Sequence, residues 1–190
     1  MRSMPAAFTE HVFRTTIYQV MTEPDTNEST MFSLLAADGP AEGLADKLML
    51  FGRFVGAWDV ESTSFQPDGA QRSQLGEWHF AWVLGGRAVQ DVLFEQGSPE
   101  RSGTTIRAYD ERSDTWQVSW IGPVWHEYVH LVARAVGDRI LLEGRDTDPA
   151  CRLRWSFNEI TENSFLWRGE ASLDDGRTWT LEQEIRARRR

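Results

Sequence analysis

The chain has a single cysteine, Cys151, which excludes an internal disulfide framework and a multi-cysteine zinc site. No apolar stretch approaches the roughly 18 residues of a membrane helix. The opening residues, MRSMPAAFTEHVFRTT, lack a continuous apolar core followed by a small-residue cleavage site, so no secretory signal is read. These absences point to a cytoplasmic protein. Positive charge is scarce as well: 20 Lys and Arg stand against 29 Asp and Glu, a formal charge of −9. A duplex-binding protein needs a basic face to displace counterions. The one dense basic run, Arg186–Arg190 interrupted by Ala187, reads as a solvated tail. Neither a nucleic acid nor a membrane is an expected partner. The chain also lacks the Gly-x-Ser-x-Gly elbow, the Gly-x-x-x-x-Gly-Lys phosphate cradle and the Gly-x-Gly-x-x-Gly fingerprint. Serine-hydrolase, P-loop and dinucleotide readings therefore fall away.

Aromatic residues are plentiful. There are nine Trp and ten Phe against three Tyr in 190 residues, a length that suits one domain with an appendage. Every Trp lies at or after Trp58 and every Met at or before Met49. An organisational boundary is placed near residue 55. Residues 1–28 read as an arm, flexible or docked on a partner, and would serve a homodimer. Residues 29–54 read as a helical lid: Ser29 or Thr30 caps a first helix, Gly39-Pro40 ends it, and Pro40 opens a second. In that second helix Leu44, Leu48, Phe51 and Val55 fall on one face.

From residue 55 to 190 the period is two. Trp58/Val60, Trp78/Phe80/Trp82, Ala88/Gln90/Val92/Phe94, Trp116/Val118/Trp120, Ile140/Leu142, Leu153/Trp155/Phe157, Phe165/Trp167 and Trp179/Leu181 alternate with mainly polar neighbours. That is the pattern of half-buried strands. Turn chemistry such as Pro67-Asp68-Gly69, Gly85-Gly86, Gly137-Asp138 and Asp174-Asp175-Gly176 separates them. About ten strands with connections too short for crossover helices make an antiparallel meander, which closes into a barrel or stacks as a sandwich.

Several of these segments together carry a family resemblance. They are Phe54-Val55-Gly56-Ala57-Trp58-Asp59-Val60, Val83-Leu84-Gly85-Gly86-Arg87, Tyr109-Asp110 with Trp116, and Phe165-Leu166-Trp167-Arg168-Gly169-Glu170-Ala171-Ser172 with Asp175-Gly176-Arg177-Thr178-Trp179. Over roughly residues 45–188 the chain resembles bacterial lipocalin-like domains of unknown function. The resemblance implies an all-β, calycin-type antiparallel barrel. It implies no particular reaction.

Two readings of chemistry follow from the residues. Trp78, Phe80, Trp82, Trp116, Trp120, Trp155 and Trp167 are many large rings for a filled small barrel. They suggest an aromatic-lined cavity for a small, mainly apolar or aromatic ligand, with no cofactor required. Gln90, Arg107, Gln117, Arg154 and Arg168 are candidate polar handles, and an inward Arg would suit a carboxylate ligand. The second reading rests on His126-Glu127-x-x-His130. On a helix the two imidazoles could share a zinc ion, with Glu143 as a downstream ligand. The flanking β-formers indicate a strand instead, where residues four apart are separated by roughly 13 Å. There His126, Tyr128 and His130 share one face. Turned inward they would supply acid and base groups to the cavity, or an axial ligand to haem; turned outward, they leave Glu127 as the inward oddity.

Overall fold

A computed structural model describes residues 30–190; the arm read over 1–28 lies outside them. Two short helices, α1 (Met31–Leu35) and α2 (Ala45–Gly52), precede ten strands. These are β1 (Gly56–Phe65), β2 (Gln71–Val83), β3 (Ala88–Glu95), β4 (Ser98–Asp110), β5 (Thr115–Gly122), β6 (Glu127–Val136), β7 (Arg139–Arg145), β8 (Arg152–Asn158), β9 (Ser164–Ser172) and β10 (Thr180–Arg189). Each strand pairs antiparallel with the next, and β10 returns to β1, so the sheet is a closed ten-stranded barrel. Closure leaves no exposed sheet edge. This is the all-β, calycin-like wall that the alternation and the turn spacing imply. Among the described residues no helix is long and apolar enough to cross a membrane.

The turns follow from their residues. At the β1–β2 turn, Gln66 N–H donates to the Ala70 carbonyl at 2.8 Å, and Asp68 accepts from Ala70 N–H at 2.9 Å. At the β2–β3 turn, Gly86 has φ of 75° and lies so close to the Gly39 carbonyl that a Cβ would sit 2.1 Å from it. Only glycine allows that approach. It lets segment 35–41 lie along the turn, with Ala37 N–H donating to Trp82 O at 3.0 Å and Ala41 N–H to Gly86 O at 3.1 Å.

The second helix starts at Ala45 rather than near Pro40, because Gly43 is left-handed, with φ of 78°. Its predicted stripe is real: Leu48 and Phe51 are fully buried, and Leu44 and Val55 are partly so. The helix does not cover an open mouth. It drives Phe51 into the barrel end, edge-on to Trp116 at 4.9 Å and to Phe157 at 5.9 Å. Phe54 follows, 4.8 Å from both Phe157 and Phe165. Such ring pairs add stability beyond the area they bury. Lys47 fastens the helix to the β4–β5 turn through Asp114 at 2.6 Å. α2 is therefore a plug.

Two expectations invert. On β3 the inward residues are Val89 and Asp91, while Val92 is 39% exposed. Asp91 turns inward because Arg107 of β4 faces it: their side chains are 0% and 3% exposed and pair at 2.5 Å. Arg107, a candidate polar handle for a ligand, instead places its guanidinium 5.2 Å from the Phe51 ring and 5.5 Å from Phe80, inside the plugged end. The basic run at 186–190 is not a solvated tail either. Arg186 lies in β10 and pairs with Glu184, Arg189 caps the backbone carbonyls of Arg53 and Val55, and Arg190 pairs with Asp59 and Glu77.

Candidate functional site

The end of the barrel opposite α2 holds a cavity of about 920 Å³, open at the mouth. That size falls among small-molecule sites, roughly 300–1,000 Å³. Its wall comes from the far halves of the same strands, including Val60 and Ser62 of β1, Leu93 of β3, Trp120 of β5, and Leu181 and Gln183 of β10. Phe65 at the end of β1 and, from the turns at this end, Trp125, Cys151 and Asp174 complete it.

Of the seven aromatic residues expected to line a cavity, Trp120 alone does so. Trp78, Phe80 and Trp116 pack in the plugged half, with Trp78 5.0 Å from Phe80. Trp82 covers Gly52 of α2. Trp155 and Trp167 stack edge-to-face at 5.4 Å, against Gly169. The rings fill one end solidly and leave the other hollow. Alternation reports which face of a strand a residue occupies but not its height in the barrel, so sequence could not divide these rings between plug and cavity.

Trp120 has a defined seat. Its ring lies over Gly103, where a Cβ would come within 2.1 Å of it. It stacks on Trp125 at 6.2 Å with 23° between the planes. Its indole Nε1 donates to Glu127 Oε2 at 2.9 Å. Trp125 comes from the β5–β6 turn.

His126, Tyr128 and His130 lie outside. His126 occupies the turn before β6 with φ of 59°, and Tyr128 and His130 are exposed on the outer face. His130 contacts Ser119 and Gln117 there, at 3.2 and 3.1 Å. The cavity therefore receives none of the three as an acid, a base or an axial ligand. The His-Glu-x-x-His segment is turn and strand, so its histidines share no helical face, and among the described residues no three metal-ligating side chains are grouped. Glu127 is the residue that reaches the cavity. Of the other candidate handles, Arg154 and Arg168 pair with Glu170 and Glu184 at 2.9 and 3.0 Å, and Gln90 donates to Thr104 at 3.0 Å.

The most informative residue at the mouth arises from a fault in the ladder. The β9–β10 register shifts between Leu181 and Gln183, so Glu182 is an extra residue in β10. A bulge re-aims a side chain, and barrel rims are a usual place for one. Leu181, Glu182 and Gln183 all border the open mouth of the cavity. Burial, with the carboxylates of Asp146 and Glu127 nearby, pushes the Glu182 carboxyl above its ordinary range. The Cys151 thiol is also raised, by burial first and then by Asp146, Glu182 and Asp148. Asp174 behaves oppositely. It accepts from the Thr178 hydroxyl and backbone, the Ser172 hydroxyl and the Arg177 backbone, and its carboxyl is held down at about 2.

No family model matches the chain, and no curated protein sequence matches it. Solved structures do resemble it. Rv2717c from M. tuberculosis is similar with a TM-score of 0.55 and 15% identity, over 77% of this chain and 98% of that one. The S-type phycobiliprotein lyase CPES from Guillardia theta is similar with a TM-score of 0.50 and 8% identity, over 75% of this chain and 91% of that one. At these identities the likeness concerns the fold, a lipocalin-like closed barrel.

Proposed function

We propose that the protein binds a small, mainly apolar or aromatic molecule in the open half of its barrel. The supporting observation is the cavity itself: about 920 Å³ of room with Trp120 and Trp125 stacked on its wall. A sandwich of indoles beside Phe65, Leu93 and Leu181 offers area and dispersion to a flat ring. The similar fold of a phycobiliprotein lyase is consistent with a barrel of this shape serving small-molecule chemistry. Catalysis by His126, Tyr128 and His130 has no support in their placement on the outer wall.

Native mass spectrometry of freshly purified protein is the direct test. A retained mass of a few hundred daltons, lost on denaturation, is expected. Titration with apolar aromatic probes should quench Trp emission, and Trp120→Ala should weaken the response at least about tenfold in Kd, the effect of removing a stacked anchor. Emission that no probe perturbs, together with protein free of any adduct, would sink this reading.

A further inference from the structure

The charges at the mouth are not arranged like those on the rest of the barrel. On the outer wall, carboxylates are matched with arginine: Arg134 with Glu143 at 2.7 Å, Arg154 with Glu170 at 2.9 Å, Arg168 with Glu184 at 3.0 Å. The cavity has four acidic residues, Glu95, Glu127, Asp174 and Glu182, and no Lys, Arg or His. Glu95 has Arg101 at 3.8 Å. Asp174 is saturated by its own loop, with four hydrogen bonds from Ser172, Arg177 and Thr178. That leaves Glu127 and Glu182. Among the described residues neither has an ion-pair partner, although arginine is the commonest way this chain balances an acid. Glu182, the extra residue of the β10 bulge, borders the mouth. Glu127 is held by the Trp120 indole, so one of its oxygens is tied to the aromatic wall.

Glu127 and Glu182 are exposed at the rim, and uncompensated like charges around a concave mouth focus potential and raise the local concentration of the opposite charge. The stacked indoles act in the same direction independently, since the faces of Trp rings attract cations. A bare metal ion fits poorly, because no three ligating side chains converge among the described residues. The two carboxylates sit instead at the edge of an apolar chamber, which suits an organic cation with a body to bury. We infer that the cavity selects an amine: a molecule whose ammonium group meets Glu127 and Glu182 while its aromatic or aliphatic ring lies against Trp120 and Trp125. This rests on the reading of the cavity as a ligand site and reverses the carboxylate preference that an inward arginine suggested. Arg107 is sequestered with Asp91 and offers nothing to a ligand.

Calorimetric titration with naphthylethylamine, naphthylethanol and naphthylacetate separates body from charge. The amine should bind at least about tenfold more tightly than the alcohol, as one ion contact near a protein surface gives, and the acetate more weakly than the alcohol. Glu182→Gln and Glu127→Gln should each cut the affinity for the amine several-fold more than that for the alcohol. Cys151, the sole cysteine, lines the same chamber, so its alkylation rate reports occupancy at this site: the amine should slow it. Equal binding of amine and alcohol, or tightest binding of the acetate, would overturn the charge preference while leaving the ligand site standing. No binding of any probe, with Cys151 unprotected, would overturn both.

Discussion

The Asp91–Arg107 pair is the most demanding electrostatic feature of the barrel, and its removal tests the account of the plugged end. Arg107 Nη1 meets Asp91 Oδ2 at 2.5 Å, and the Thr105 backbone N–H donates to Asp91 Oδ1 at 3.0 Å. The guanidinium lies among Phe51, Phe80 and Phe157, and its Nε has no partner among the described residues. Taking one member away leaves the other charged, buried and without its counterion. That loss costs about 3–5 kcal/mol. Arg107→Met should therefore lower stability by about that much, or Tm by roughly 6–20 °C at 2–4 °C per kcal/mol for a chain of this length. Asp91→Leu should do the same. The double variant, Asp91→Leu with Arg107→Met, should recover to within about 1 kcal/mol of the wild type or exceed it, because an apolar pair removes both desolvation costs and the unpartnered Nε. Guanidinium unfolding followed by Trp fluorescence and by circular dichroism measures all four proteins as a cycle. A single Arg107→Met loss below about 1 kcal/mol, or single losses that simply add in the double variant, would refute the reasoning: the pair would then be screened or exposed.

Three other outcomes are expected. Gly103→Ala should push the Trp120 ring off its seat, where a Cβ would lie 2.1 Å away; an overpacking loss of about 1–3 kcal/mol and an altered near-ultraviolet dichroism check it. Asp174 is held at about 2 against an ordinary 3.8, chiefly by the Thr178 hydroxyl and backbone. A depressed acid stabilises the fold above its unfolded value and loses that contribution as the pH falls through the folded one, so the 172–178 loop should loosen between about pH 4 and pH 2. Emission from Trp179, whose indole donates to Gly176 O at 3.1 Å, should report the step, and Asp174→Asn should abolish it. Cys151, 8% exposed and with its thiol pushed up, should react with iodoacetamide at pH 8 at least about tenfold more slowly in native than in unfolded protein; equal rates would place it outside the wall.

The barrel was readable wherever an inward row was apolar. Trp78, Phe80 and Trp82 mark β2 as surely as Trp116, Val118 and Trp120 mark β5, because one face of each is buried and the other is not. β4 was hidden because its inward row is Gly103, Thr105 and Arg107, which no hydropathy pattern marks as interior. The same pairing inverted β3, where an inward Asp91 is possible only with Arg107 two strand positions beyond its neighbour Thr105. The cavity was harder. Glu182 reaches the mouth at a bulge, and a bulge breaks the alternation by which inward residues are counted. The outward face of His126, Tyr128 and His130 depends on the phase of β6, fixed by burial of Val129 and Leu131.

The seam between β1 and β10 has a consequence for biogenesis. Arg190 and Asp59 meet across a sequence separation of 131 residues. No earlier pairing can stand in for β10, so a nascent polypeptide carries two raw hydrogen-bonding borders until β10 has emerged. Loop-closure entropy makes such a union slow, and borders of this kind recruit neighbouring polypeptides. Yield in the cell should therefore follow translation pace and chaperone supply more closely than it follows equilibrium stability.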